Sequence, residues 1–226
     1  MIKHLKIILL IALCLGYTFV AQAQKIVKEG VAIYSVEYDL PAEQQAMAGM
    51  LPKEFKVAFK GNYSMFKMDM GMFATSVILN NLTNETLTLT DVPMQNKKFA
   101  VKMSKAEAEK MQGVQPGQED YKVTKTTETK KIAGYNCTKY LLKDETEDTD
   151  IELWATDEIQ IPANALTSAI KGIKGVPIAF STNTGGLKSK LTLKSISEEP
   201  VAEINFNIPA GYELMDFKDL MGQMGG

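Results

Sequence analysis

The segment from Lys130 to Ile159, KKIAGYNCTKYLLKDETEDTDIELWATDEI, constrains the fold more than any other stretch of the chain. Thr138, Tyr140 and Leu142 alternate with Cys137, Lys139, Leu141 and Lys143. Beyond an acidic run, Ile151, Leu153 and Ala155 alternate with Glu152, Trp154 and Thr156. A period of two sends successive side chains to opposite faces, so this segment is two strands joined by a turn, and whatever surrounds it must supply a sheet.

The same texture recurs on both sides. Gly30–Asp39 reads as a first strand, with Tyr34, Val36 and Tyr38 on one face. Pro41–Lys53 is richer in Ala, Gln and Met; within it, Glu43–Met50 is a short helix or a Met-bearing flap. Phe55, Val57 and Phe59 alternate with charged neighbours, Gly61-Asn62 turns the chain, and Tyr63–Met70 returns. Met72–Asn80 is another strand, and its Val77-Ile78-Leu79 run implies burial on both faces. Leu87 and Leu89 alternate with threonines, and Phe99, Val101 and Met103 alternate with Lys98, Ala100 and Lys102. Ser104 and Glu107 form a capping box for a helix over Lys105–Met111, ending at Gly113. Gln115–Gln118 is a loop, and Tyr121–Thr129 is a polar, Thr-rich strand. Later, Asn164–Lys171 reads as a helix, Gly175–Phe180 as a strand, Gly185-Gly186 as a turn, and Leu191 and Leu193 as strand positions. Ile204, Phe206 and Ile208 make a last strand, and Asp216–Met221 a closing helix. The count is about ten strands in hairpin order with two or three short helices. Strands joined directly to strands imply a mainly β (α+β) domain built as an antiparallel meander. So many strands curl, which predicts a strongly curved sheet or incomplete barrel with the helices as covers.

Residues 1–23 read as a signal peptide: Lys3 and Lys6, then the apolar run Ile7–Leu15, then Ala21-Gln22-Ala23 as a cleavage site. That run is too short to span a bilayer. Cys14 follows Leu13, where a lipidation signal calls for a small residue, so it is filler in a discarded leader. Residues 24–226 then form a single periplasmic or secreted domain, not membrane-spanning, that begins at Gln24.

Composition excludes several functions. The chain has 27 acidic residues against 25 basic ones, and every basic one is lysine. With no arginine fork to read phosphate or guanine, nucleic acid is not expected as a partner. His4, the one histidine, leaves with the leader. Histidine-based triads and histidine-ligated metals are thereby removed, and no enzymatic activity or cofactor is expected. Cys137 is then the lone cysteine, so no internal disulfide forms.

Four features invite chemistry and are read structurally. The acidic run Asp144–Asp150 places Thr149 and Ala155 where an EF-hand loop needs Gly and Glu, so it is a solvated hairpin tip and no metal is expected. Met68, Met70 and Met72 would share one strand face and offer three soft sulfurs, yet methionines more often fill cores or line adaptable apolar surfaces. Lys139 shares a face with Cys137 and could supply some field to it, but without histidine the cysteine reads as a buried structural thiol. Asp157 and Glu158 are adjacent and point apart, unlike a glycosidase pair.

Three motifs occur in order: Gly134-Tyr135-Asn136-Cys137-Thr138-Lys139-Tyr140, then Trp154-Ala155-Thr156-Asp157-Glu158, then Phe206-Asn207-Ile208-Pro209-Ala210-Gly211-Tyr212. Together they resemble a family of secreted bacterial domains of unknown function, for which no catalytic residues carry across. The layout is also similar to the outer-membrane lipoprotein carriers LolA and LolB. That resemblance implies a strongly curved, incomplete barrel that holds acyl chains. This sequence lacks the arginine with which such carriers gate their cavity.

The expected function is non-enzymatic binding of a hydrophobic small molecule, a lipid or acyl chain, in the hollow of the sheet. The lining candidates are Phe55, Val57, Phe59, Phe66, Met68 and Met70, with Met47 and Met50 on the cover. Met65 and Phe66 point oppositely, so at most one of that pair lines the hollow. All of these residues read equally well as plain core. The alternative is an envelope module without a cavity, whose partner is another envelope protein.

Overall fold

The computed structural model describes residues 24–114, 122–143, 150–168, 170–184 and 187–224. The expected leader, the Gln115–Gln118 loop, the acidic run up to Thr149 and the Gly185-Gly186 turn lie outside them. Fourteen strands run in chain order among the described residues: β1 (Lys25–Ile26), β2 (Glu29–Asp39), β3 (Glu54–Lys60), β4 (Tyr63–Asp69), β5 (Ala74–Asn80), β6 (Glu85–Val92), β7 (Lys97–Met103), β8 (Lys122–Ile132), β9 (Tyr135–Lys143), β10 (Asp150–Thr156), β11 (Ile159–Gln160), β12 (Val176–Thr184), β13 (Leu187–Ser197) and β14 (Glu213–Leu214). Two α-helices join them, α1 (Lys105–Val114) and α2 (Phe217–Met224), and Ala42–Met50 winds as a 3₁₀ segment.

Twelve strands form one sheet in the order β14-β7-β6-β5-β4-β3-β2-β13-β12-β10-β9-β8. The fold is mainly β, with more strands in its sheet than the ten expected, and the sheet is not closed into a barrel. All its ladders are antiparallel except β14 on β7. Turn chemistry sets the meander: Ala133 and Gly134 both take positive φ, 50° and 90°, between Ile132 and its partner Tyr135. That is the two-residue hairpin whose twist matches the strands it joins. The capping box forms as expected, with Ser104 N–H donating to Glu107 Oε2 at 2.8 Å and Glu107 N–H to Ser104 Oγ at 3.3 Å.

Two elements differ from the sequence reading. Asn164–Lys171 is not a helix: Asn164 Oδ1 accepts from Leu166 N–H at 3.1 Å, and residues 165–168 are a turn. The buried Asn164 opens a single turn, with Thr167 and Ser168 N–H donating to its carbonyl at 3.1 and 2.8 Å, and among the described residues the regular bonds are not carried further. Ile204–Ile208 pairs with no strand; it runs as an extended strap across the face of the sheet. Its alternation survives, with Ile204 buried and Asn205 and Asn207 exposed, because alternation marks which side faces a surface, not which edge is hydrogen-bonded.

The core has two parts, on opposite faces of the same sheet. The larger joins Tyr34, Val57, Phe59, Phe180, Leu191, Leu193, Tyr140 and Leu153, and is covered by Ile161, Leu166, Ile170 and Ile173 from the segment between β11 and β12. The smaller joins Ile78, Leu87, Leu89 and Ala100, and is covered by Val201, Ile204, Phe206 and Tyr212 of the strap.

Candidate functional site

Register fixes what lies on the face opposite the strap. One row across the sheet runs Met68–Thr75–Thr90–Phe99. Continuing the Lys56–Lys67 pairing by one step puts Phe55 beside Met68. The next row is Val57–Phe66–Val77–Thr88–Val101, and the third is Phe59–Ser64–Leu79–Thr86–Met103. Burial across this grid is uneven. Val57 and Phe59 are 0% exposed, and Val101 and Met103 are buried where α1 and α2 approach β7. Between them, Val77 and Leu79 of β5 and Thr86, Thr88 and Thr90 of β6 are half-buried, as is the whole first row. The grid therefore holds a half-covered strip, about two strands wide at 4.8 Å per strand. Beyond Phe99 lies a cleft of about 460 Å³ lined also by Glu213, Leu214, Met215, Lys218 and Asp219.

An antiparallel meander puts alternate connections at the same end of the sheet. The β2–β3, β4–β5 and β6–β7 connections thus share the end next to the first row, and each carries an exposed methionine: Met50 at 63%, Met72 at 56% and Met94 at 85%.

The residues expected to line a ligand divide into two groups. Phe55, Val57, Phe59, Phe66 and Met68 share the predicted face, and Met65 lies on the other, in the strap-covered cluster. Val57, Phe59 and Phe66 are buried among neighbours, with the Phe55 ring edge-on to Phe66 at 5.2 Å. Phe55, Met68 and Met70 are half-buried and Met50 exposed. The side chain of Met47 lies outside the described residues. Met68, Met70 and Met72 do not share a strand face. Strand β4 stops at Asp69, whose carboxylate accepts from Gly71 N–H at 2.8 Å, and Met70 and Met72 sit in the turn.

Cys137 is buried, donates to the Tyr135 carbonyl at 3.5 Å, and has its thiol pushed up by burial. Lys139 does not serve it. Its ammonium lies 2.6 Å from Glu152 and 3.5 Å from Glu128, above the Trp154 ring at 6.0 Å. Cys137 and Tyr140, three residues apart, both enter the core, so simple alternation breaks between them and Lys139 stays with the ion pairs outside it. Asp157 pairs with Lys174 at 3.4 Å, while Glu158 accepts from Asn136. Among the described residues, no three His, Cys, Asp or Glu side chains converge on a metal position. No described helix is long and apolar enough to cross a membrane.

Thr75, Val77, Leu79, Thr88, Thr90 and Phe99 were not among the lining candidates read from sequence. Their alternation was visible, but only the strand register reveals that they share a face with Phe55 and Met68.

Residues 45–164 match the model of a family described as "Domain of unknown function (DUF4412)". No curated protein matches the sequence. Two solved structures of PNGF-II, in C2 and P21 space groups, are similar to the chain at 15% identity with TM-scores of 0.47 and 0.48. They cover 86% and 87% of this chain, which spans only 33% and 34% of that protein.

Proposed function

The chain belongs to the DUF4412 family of unknown function, and from that premise we propose that it is a non-enzymatic binding protein of the cell envelope whose ligand is a lipid or acyl chain held on the half-covered face of the sheet. The observation that carries this reading is the gradient of burial along that face. Its apolar side chains are fully buried on β3 (Val57, Phe59), half-buried in the same rows on β5 (Val77, Leu79) and in the first row (Phe55, Met68), and exposed at the end beside the first row (Met50, Met72). An acyl chain laid along the strip would contribute about 0.8 kcal/mol for each methylene removed from water. Methionines at the mouth suit such a ligand because their unbranched thioethers repack around varied shapes. In this reading the sheet curls enough to make the strip a concave trough, in the manner of the LolA-like carriers. Residues 1–23 direct export and are removed after Ala23. The histidine-free composition of residues 24–226 and the raised Cys137 thiol favour binding over catalysis.

The three exposed methionines favour a second reading, a module that docks another envelope protein at that end without holding a ligand. Native mass spectrometry of the mature protein, purified gently from its own envelope, separates the two. A bound species of lipid mass, lost on organic extraction, is the expected result. A bare protein mass, with no uptake of added fatty acid or monoacylglycerol, would leave the docking module.

A further inference from the structure

We infer that the ligand of this trough is a single-chain lipid with an uncharged, hydrogen-bonding head, such as a glycerol ester, an alcohol or an amide, held by the threonines of β5 and β6; this rests on the binding reading above. Thr75 and Thr90 are directly opposed across β5 and β6, and Thr88 and Thr86 continue the column along β6. Thr90 to Thr86 is four residues, about 14 Å of strand. Among the described residues, none of these four hydroxyls has a protein hydrogen-bond partner. Ser64, in the third row, is their contrast: its Oγ donates to the Ala163 carbonyl at 2.8 Å beneath the covering segment. A threonine hydroxyl both donates and accepts, which matches a hydroxyl, ester or amide.

Charge decides against an anionic head. None of the fifteen positions in the three rows is ionisable. Of the lysines of the same strands, Lys97, exposed one step beyond the first row, shares this face, and Lys56, Lys60, Lys67, Lys98 and Lys102 alternate to the other. There Lys98 pairs with Asp91 at 2.7 Å, and Lys102 lies over the Phe206 ring at 5.1 Å. At the end of the first row, the cleft brings Glu213 and Asp219 against one cation, Lys218. A carboxylate brought to Thr88 or Thr86, in the second and third rows, would lose water without gaining a cation, which is costly, whereas an uncharged head loses little.

The test uses the mature full-length protein and two probes with the same chain, monooleoylglycerol and oleate at pH 8, with binding measured by calorimetry. Monooleoylglycerol should bind at least about tenfold more tightly. The double variant T88V/T90V keeps side-chain shape and removes two hydroxyls. It should weaken monooleoylglycerol by about fivefold for each hydroxyl lost and leave oleate, the weaker probe, nearly where it was. Circular dichroism of the variant checks that it folds. If it does not, T75S and T90S, which keep the hydroxyls, must retain the preference between probes, and loss of that preference overturns the inference. Oleate binding as tightly as monooleoylglycerol, or a folded T88V/T90V that binds monooleoylglycerol unchanged, would also overturn it while leaving lipid binding intact. Failure of both probes would remove the binding reading itself.

Discussion

The two halves of the large sheet bury opposite faces. Through β2, β13, β12, β10 and β9 the apolar face is the one covered by residues 161–173, and the other carries ion pairs such as Lys194 with Glu54 and Lys139 with Glu152. Through β5 and β6 the better-covered face is the other one, where the strap lies over Ile78, Leu87 and Leu89. A strand with two apolar faces needs two covers, and β5 and β6 have one full cover and one partial one. The half-covered strip is thus a consequence of where the chain's irregular segments were laid, not of any special residue in it.

The halves can be told apart by mutation. The largest expected effect is Gly175→Ala. Gly175 has φ of +94°, and a Cβ there would stand 2.0 Å from the Thr156 carbonyl oxygen, where β12 passes β10. Backbone cannot yield as a side-chain tip does, so a loss of about 4 kcal/mol or more is expected in urea unfolding. Trp154, the one tryptophan, sits in this half. If its fluorescence and the circular dichroism unfold at the same urea concentration, the two halves form one cooperative unit. Separate transitions would make the comparison a division into two folding units.

Next in size are two truncations, one in each core. Phe59→Ala removes a fully buried ring beneath the covering segment, and Leu87→Ala a fully buried side chain beneath the strap. Both should cost about 3–5 kcal/mol. A loss below about 1 kcal/mol for Leu87→Ala would mean the strap is a loose overlay and the second core is not one.

The strap's anchorage should respond to pH. Val201 N–H donates to Glu29 Oε1 at 2.8 Å and Lys60 to the same oxygen at 2.9 Å; these hold the Glu29 carboxyl below its usual range, the backbone bond first. Because the folded value is the depressed one, this stabilisation is present above the unfolded carboxylate pKa of about 4.3 and is lost as pH falls through the folded value. The protection of the Val201 amide, its exchange rate taken relative to the intrinsic rate at each pH, should therefore fall on acidification in the native protein. In E29Q that protection should be lower at neutral pH and indifferent to acid. An equal acid response in both would assign the anchor elsewhere.

Much of this fold was legible because alternation depends on each residue's own neighbours. The hairpins around Gly61 and Gly134, the capping box at Ser104 and the facing of Phe55, Val57 and Phe59 all follow from local chemistry. What was hidden depended on distant residues. Ile204–Ile208 looks like a strand because it lies on a sheet, and nothing local says that it lies across the face and not along the edge. The Val77-Ile78-Leu79 run announces two apolar faces, but only the strap's position shows that Ile78 has the complete cover. The candidate site was half legible for the same reason. Phe55 and Met68 could be picked out as apolar strand residues, whereas Thr88 and Thr90 read as a wet face until register set them beside Val77 and Phe99.

The smallest predicted effect separates the covered and half-covered parts of two adjacent rows. Ser64 and Thr86 both lie in the third row, and Thr88 lies next to it. The Ser64 hydroxyl is buried and bonded to the Ala163 carbonyl, which also accepts from Asn81 Nδ2 at 3.1 Å. Ser64→Ala should cost about 1 kcal/mol, since it removes a made bond and loosens the covering segment. Thr88→Val should change stability by less than about 0.5 kcal/mol, because its hydroxyl has no partner to lose among the described residues and valine is at home in a strand. The ordering carries the argument more than either value. If Thr88→Val destabilised as much as Ser64→Ala, the β6 threonines would be part of a closed core, and the trough would be too well covered to receive a ligand.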